Sequence, residues 1–140
     1  MMELNECINF LLTRSQQVVF QSLKTRLAKF DVTPVQYGIL KCLWDEEYLL
    51  PKQIAEALSL DSSTITGLLD RMENKGLIER VHNKNDRRTF NVIVTEDGLK
   101  HRKEIEQVIE ELNRDFLEKF SDEEKKKLKE SLRTIANIKK

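Results

Sequence analysis

The run from Leu50 to Thr95 constrains this chain most, because helical periodicity there gives way to strand alternation around a cationic turn. It reads as two short helices, a β-hairpin with a basic tip, and the start of a new helix. In the second helix, LDSSTITGLLDRMENKGLI, residues Ile65, Leu68, Leu69 and Met72 fall at i, i+3, i+4 and i+7, so one face is apolar. The other face carries Ser63, Thr66, Gly67, Asp70, Arg71 and Asn74, small or polar in a pattern that solubility alone does not demand. Gly76 supplies the C-terminal stop. Leu77 to Val81 then reads as strand, His82 to Thr89 as a basic loop, and Phe90 to Val94 as strand. A polar-faced helix beside a cationic hairpin is the arrangement with which a winged helix holds DNA.

Four further helices follow from their boundary signals. The first spans about Glu3 to Lys29, with Leu4, Ile8, Leu11, Leu12, Val18, Val19, Leu23 and Leu27 along one side. Thr33 caps the next, Pro34 takes its first position, and Gln36 closes a capping box ahead of Ile39, Leu40, Leu43 and Trp44. Thr95 opens a long helix carrying Ile105, Val108, Ile109, Leu112, Phe116, Leu117 and Phe120. Ser121 to Glu124 is another capping box, starting a last helix with Leu128, Leu132, Ile135 and Ile138. Leu50-Pro51 is the weakest start, since leucine offers no capping oxygen. The expected fold is mainly α with a small β-hairpin: a winged helix-turn-helix lobe plus a helical dimerisation region.

Charge enters through its placement. The 140 residues hold 24 Lys and Arg against 24 Asp and Glu, so the total says nothing about a polyanion partner. Between Arg80 and Asn91, however, four bases (Arg80, Lys84, Arg87, Arg88) face one acid, Asp86. Phosphate attraction is screened within about 10 Å at 0.1 M salt, so this local excess is what counts. Lys125 to Lys127 is most simply a solvated face. No apolar run reaches the ~18 residues of a membrane span, and the opening MMELNECINF has acids where a signal peptide needs positive charge, so a cytoplasmic protein is expected.

The element order resembles the MarR family of bacterial transcription regulators, and the resemblance covers nearly the whole chain. It is carried by Thr33-Pro34-Val35-Gln36-Tyr37, by Ile54-Ala55, by the run Leu68 to Ile78, by Asp86-Arg87-Arg88, and by Val94-Thr95-Glu96-Asp97-Gly98. It implies a homodimer on a pseudo-palindromic double-stranded operator. Residues 1–32 and 96–140 would form the helical dimerisation region and 33–95 the DNA-binding lobe, with Leu4, Ile8 and Leu11 of one copy meeting Leu128, Leu132 and Ile135 of the other.

The residues agree with that expectation. A helix entering a major groove about 12 Å wide needs short donors and acceptors, and Ser62, Ser63, Thr64 and Thr66 supply them; N-capping is their simpler use. Gln53 on the preceding helix and Arg71 two turns further on complete the groove-facing set. Gly67 costs about 1 kcal/mol against alanine inside a helix, which reads either as close approach of the helix to DNA or as tolerated drift. In the wing, Lys84 and Arg87 suit phosphates, and Arg88 suits a narrow minor groove, Arg87 and Arg88 pointing opposite ways on a regular strand. By family resemblance the Asp-x-Arg pair is Asp86 and Arg88, and Asp61 at the helix start is the acid expected to hold Arg88 when DNA is absent.

The resemblance also implies a small-molecule effector between dimer helices and lobe. Phe10, Thr13, Arg14, Gln17, Tyr37, Leu40, Lys41 and Trp44 are the candidates, suiting a phenolic or aromatic acid, unless they simply pack the elbow of a dimer. One family branch senses organic hydroperoxides through a first-helix cysteine, but the matching position here is Asn9 and its tyrosine partner is Thr13. Cys7 would lie about 200° round the helix from Asn9, leaving at most a peripheral thiol, and Cys42 reads as a small half-buried residue. With two histidines far apart, no Gly-rich phosphate loop and no ligand cluster, no catalytic residue, cofactor or metal is expected. His82 reads as a surface residue or a phosphate contact. A winged-helix protein-interaction module without DNA binding is the alternative reading, against which the cations at the hairpin tip weigh.

Overall fold

A computed structural model describes residues 1–139. A 3-10 turn at Leu4–Glu6 leads into α1 (Ile8–Leu27), and a second 3-10 turn, Ala28–Phe30, ends it. The helix expected to run unbroken from Glu3 is therefore interrupted: Cys7 is extended, with φ −74° and ψ 120°. Glu6 folds back to accept from the Glu3 N–H at 2.9 Å, closing the first turn on itself, so Cys7 precedes the helix rather than sitting on one of its faces. Asp31, in the left-handed region at φ 55°, turns the chain into α2 (Pro34–Leu43). There the Thr33 capping box forms as the sequence indicates, both bonds being 3.2 Å.

Helix α3 (Pro51–Leu58) starts without a capping side chain at Leu50; instead Gln53 Oε1 accepts from the Leu50 N–H at 2.8 Å. Helix α4 (Ser62–Asn74) buries Ile65, Leu68, Leu69 and Met72, the stripe its spacing called for. It closes in a Schellman motif, with Gly76 at φ 79° and the N–H groups of Gly76 and Leu77 donating to Glu73 and Met72 carbonyls. Strands β1 (Ile78–Asn83) and β2 (Asp86–Val94) pair antiparallel, Ile78 opposite Val94, and Leu49 exchanges both backbone bonds with Val92 as a one-residue third strand. The hairpin turn is thus Lys84-Asn85 alone, tighter than the eight-residue loop the sequence suggested.

Thr95 does open a helix, capping Gly98 N at 3.1 Å, but α5 covers only Glu96–Leu99 before the chain bends and α6 (Arg102–Leu117) begins. Position 98 within α5 has its own steric constraint. A Cβ on Gly98 would lie 2.3 Å from the Leu77 carbonyl oxygen and 2.6 Å from Val94 Cγ2, so the backbone crosses the end of β2 where only glycine fits. Helix α7 (Asp122–Ile135) starts at the Ser121 capping box and buries none of its residues. The continuous core joins Leu27, α2, α3, the apolar face of α4, Ile78 and Val92 with Ile105 and Val108 of α6. No helix among the described residues is long and apolar enough to cross a membrane.

Candidate nucleic-acid interface

Burial of one α4 face fixes what the other can do. Ser62, Ser63, Thr64, Thr66 and Arg71 are exposed, with Gly67 half-exposed among them. Several of these groups are already committed within the helix. Asp61 Oδ1 accepts from Thr64 N at 2.7 Å and from the Ser63 hydroxyl at 2.9 Å, and the Thr66 hydroxyl donates to the Ser62 carbonyl at 2.8 Å. The bonds from Thr64 and Ser63, led by the Thr64 N–H, hold the Asp61 carboxyl below the usual aspartate range. Gln53 is exposed one helix earlier, its amide oxygen engaged at Leu50.

The hairpin is clasped to α4 by a residue the sequence reading had counted only as local charge. Arg80 donates through Nη2 to Asp70 at 2.6 Å and to Glu73 at 2.8 Å, while its backbone N–H donates to Glu73 Oε2 at 3.0 Å. Its hydrogen bonds hold the Glu73 carboxyl below the usual glutamate range. Arg80 therefore sets the position of β1 against α4 and is not a free cation. The signal was present in the sequence: two acids one turn apart near the end of a helix, then a base soon after the glycine turn.

At the tip, His82 pairs with Phe90 and Asn83 with Asp86, which leaves Arg87, Arg88 and Thr89 as a bulge without partners on β1. The opposite-facing alternation expected of Arg87 and Arg88 needs a regular ladder, and the bulge removes it; both arginines are exposed. Asp86 organises the bulge, accepting from Arg88 N at 3.0 Å and pairing with Arg88 Nε at 3.2 Å. This overturns the expected Asp61–Arg88 bridge: Arg88 is held by its neighbour two residues away, and Asp61 is occupied by its own helix. Among the described residues, Lys84, Arg87 and Arg71 form no ion pair. His82 stacks on Phe90, ring centroids 4.9 Å apart, on the strand surface.

The effector candidates do not converge in the single chain. Trp44 is buried, donates from Nε1 to the Gly98 carbonyl at 3.0 Å, and carries the Arg102 guanidinium over its ring, so it belongs to the core. Tyr37 packs edge-on against it, and Lys41 is exposed. An open groove of about 600 Å³ instead runs along α1 against Phe116, taking in Arg14 and Gln17 but not Phe10, Tyr37, Lys41 or Trp44. Burial pushes the Cys42 thiol up from its ordinary range, away from the reactive thiolate. The residues expected at a dimer contact are largely uncovered: Leu4 is 65% exposed, Ile8 59% and Ile135 54%, with Leu11 and Leu132 also exposed and Leu128 half-buried.

Comparison with known proteins places this geometry. The MarR family model matches residues 32–90. The organic hydroperoxide resistance transcriptional regulator of Bacillus subtilis is 40% identical over 97 residues, 69% of this chain and 66% of that protein. The regulator PecS of Dickeya dadantii is 31% identical over 122 residues, 87% of this chain and 71% of that protein. Among solved structures, CouR bound to a 23-mer DNA duplex superposes with a TM-score of 0.87 at 27% identity, covering 97% of this chain and 96% of that one. CouR of Rhodococcus jostii bound to p-coumaroyl-CoA gives 0.85 at 25% identity over the same shares.

Proposed function

Because this chain belongs to the MarR family and carries the surface just described, we propose that it is a homodimeric, sequence-specific DNA-binding transcriptional regulator, a repressor released by a small-molecule effector. The observation that carries this reading is the pairing of an exposed polar α4 face with a wing that presents Lys84 and Arg87 free of ion pairs among the described residues and Arg88 in an exposed pair with Asp86, its position on α4 being fixed by Arg80. Ser62, Ser63, Thr64, Thr66, Gly67 and Arg71 face the major groove, with Gln53 beside them. Lys84 and Arg87 contact phosphates, and Arg88 leaves Asp86 for the minor groove, exchanging an exposed pair worth about 0–1 kcal/mol.

Residues 1–32 and 96–140 form the dimerisation region in this reading and 33–95 the lobe. Exposed apolar side chains at Leu4, Ile8, Leu11, Leu132 and Ile135 support it, since a helix without a covered face is stable only against a partner. An aromatic or phenolic effector would enter the elbow near Phe10, Arg14, Tyr37 and Lys41 and change the spacing of the two lobes. That CouR has been solved both with an acyl-CoA and with DNA supports ligand release. Asn9 stands at the family's peroxide-sensing position, which favours ligand release over thiol oxidation despite the likeness to the Bacillus regulator.

Fluorescence anisotropy with a duplex from upstream of the chain's own gene, against a scrambled duplex, tests the proposal across salt. Specific binding should exceed scrambled by roughly a thousandfold or more. Log Kd should rise steeply with log salt, about 0.9 per neutralised phosphate, and Arg87→Ala should reduce that slope by about two per dimer. Sequence-blind or salt-insensitive binding would refute it.

A further inference from the structure

We infer that Arg71, lying in the space that Gly67 leaves open, is the residue that reads a guanine in each operator half-site. The inference rests on the DNA-binding reading above. Gly67 and Arg71 are one turn apart on the same face of α4, and a long helical side chain leans toward the N-terminus. Here the lean is realised: a Cβ built on Gly67 would lie 3.7 Å from Arg71 Nη1 and 4.0 Å from Nη2. The guanidinium thus lies over the glycine, where a side chain at position 67 would otherwise project into the groove.

Hydrogen-bond inventory singles Arg71 out further. A guanine presents two acceptors, N7 and O6, and reading it takes two parallel donors. Across Ser62–Asn74 the Ser63 and Thr66 hydroxyl protons are already donated, to Asp61 and to the Ser62 carbonyl. Ser62 and Thr64 offer one hydroxyl each, and Asp70 is held by Arg80. Arg71 is the one cationic side chain in the helix sequence, exposed and without an ion pair among the described residues. The exposed Asn74 amide, at the last residue of the helix, is uncharged and pairs with adenine rather than guanine, so the Arg71 fork matches a guanine edge better than any other group on this face. The helix cost of Gly67 is then the cost of keeping that fork against the backbone.

Selection from a randomised duplex library with the full chain, repeated for Arg71→Ala, Arg71→Lys and Gly67→Gln, tests this, with circular dichroism to confirm that each variant folds. Wild type should enrich a guanine at one symmetric pair of positions, and 7-deazaguanine there should weaken binding on the order of tenfold. Arg71→Ala should erase that enrichment alone, with a loss on the order of ten- to a hundredfold for the selected site. Arg71→Lys should keep the salt slope and lose most of the guanine preference. Gly67→Gln should shift the preference at the same position. If Arg71→Ala weakens all duplexes alike, or changes nothing, Arg71 is not the reader; an unchanged site in Gly67→Gln would separate the glycine from it. Failure of the wild type to select any sequence would instead refute the DNA-binding reading itself.

Discussion

In the winged lobe, apolar side chains close on one another, whereas in α7 and the first half of α1 they face outward. Ile39, Leu43, Ile54 and Met72 are fully buried, while α7 buries nothing and Ile8 and Ile135 are more than half exposed. Both regions obey the same helical periodicity. What differs is that the lobe's stripes meet an opposing surface within the chain and those of α7 and the start of α1 do not. A leucine taken out of water stabilises by roughly 1.5–3 kcal/mol, so the terminal stripes are a large unused term until a second surface covers them. In the proposed dimer, the lobe is specified by one copy of the sequence and the terminal helices by two.

The largest expected effect comes from the terminal side. Leu132→Asp with Ile135→Asp removes two apolar contacts from each copy, together worth about 6–12 kcal/mol across a symmetric pair. Sedimentation velocity should show a monomer, with lobe helicity retained by circular dichroism and specific DNA binding lost. A variant that stayed dimeric would break the contrast. Next is Gly98→Ala, which presses on the lobe from just beyond its end: displacing Leu77 and Val94 should cost about 1–3 kcal/mol, read by calorimetry as a lower Tm with dimerisation intact.

Smaller again is the clasp. Arg80→Ala should lower lobe stability by about 1 kcal/mol, the pair being partly solvent-screened, while weakening operator binding on the order of tenfold by freeing the wing. Its pH signature has a definite sign. Glu73 is held below its ordinary value of 4.5, so the clasp's contribution is complete above that value and is lost as pH falls through the lower, folded-state value. Acid titration followed by wing-proton chemical shifts should show this loss in the wild type and not in Glu73→Gln.

Local signals made much of this legible. Capping boxes at Thr33 and Ser121, the α4 stripe and the Gly76 stop lie where the sequence indicated, because each is decided by a few neighbouring residues. What was not legible depends on contacts between distant segments. Apolar spacing continues across Cys7 and across His101, so periodicity could not see that the helices break there. Gly98 looked like part of a helix start, and only the crossing of Leu77 and Val94 shows why it must be glycine. The sequence counts Arg80 only as local charge and ties Arg88 to Asp61. One is tied to α4 and the other to Asp86, a distinction set by strand register and by the bulge at Arg87 to Thr89.

The stoichiometry of the complex tests the division of labour most directly. Sedimentation velocity of the full chain with a fluorescent duplex carrying its inverted-repeat operator, near the Kd, should show two chains per duplex and no populated single-chain complex. The terminal double variant should show no specific complex at the same concentration. One chain binding one duplex at full affinity, or the double variant binding as tightly as wild type, would contradict it: the exposed stripes of α1 and α7 would then have no part in presenting the lobes to DNA.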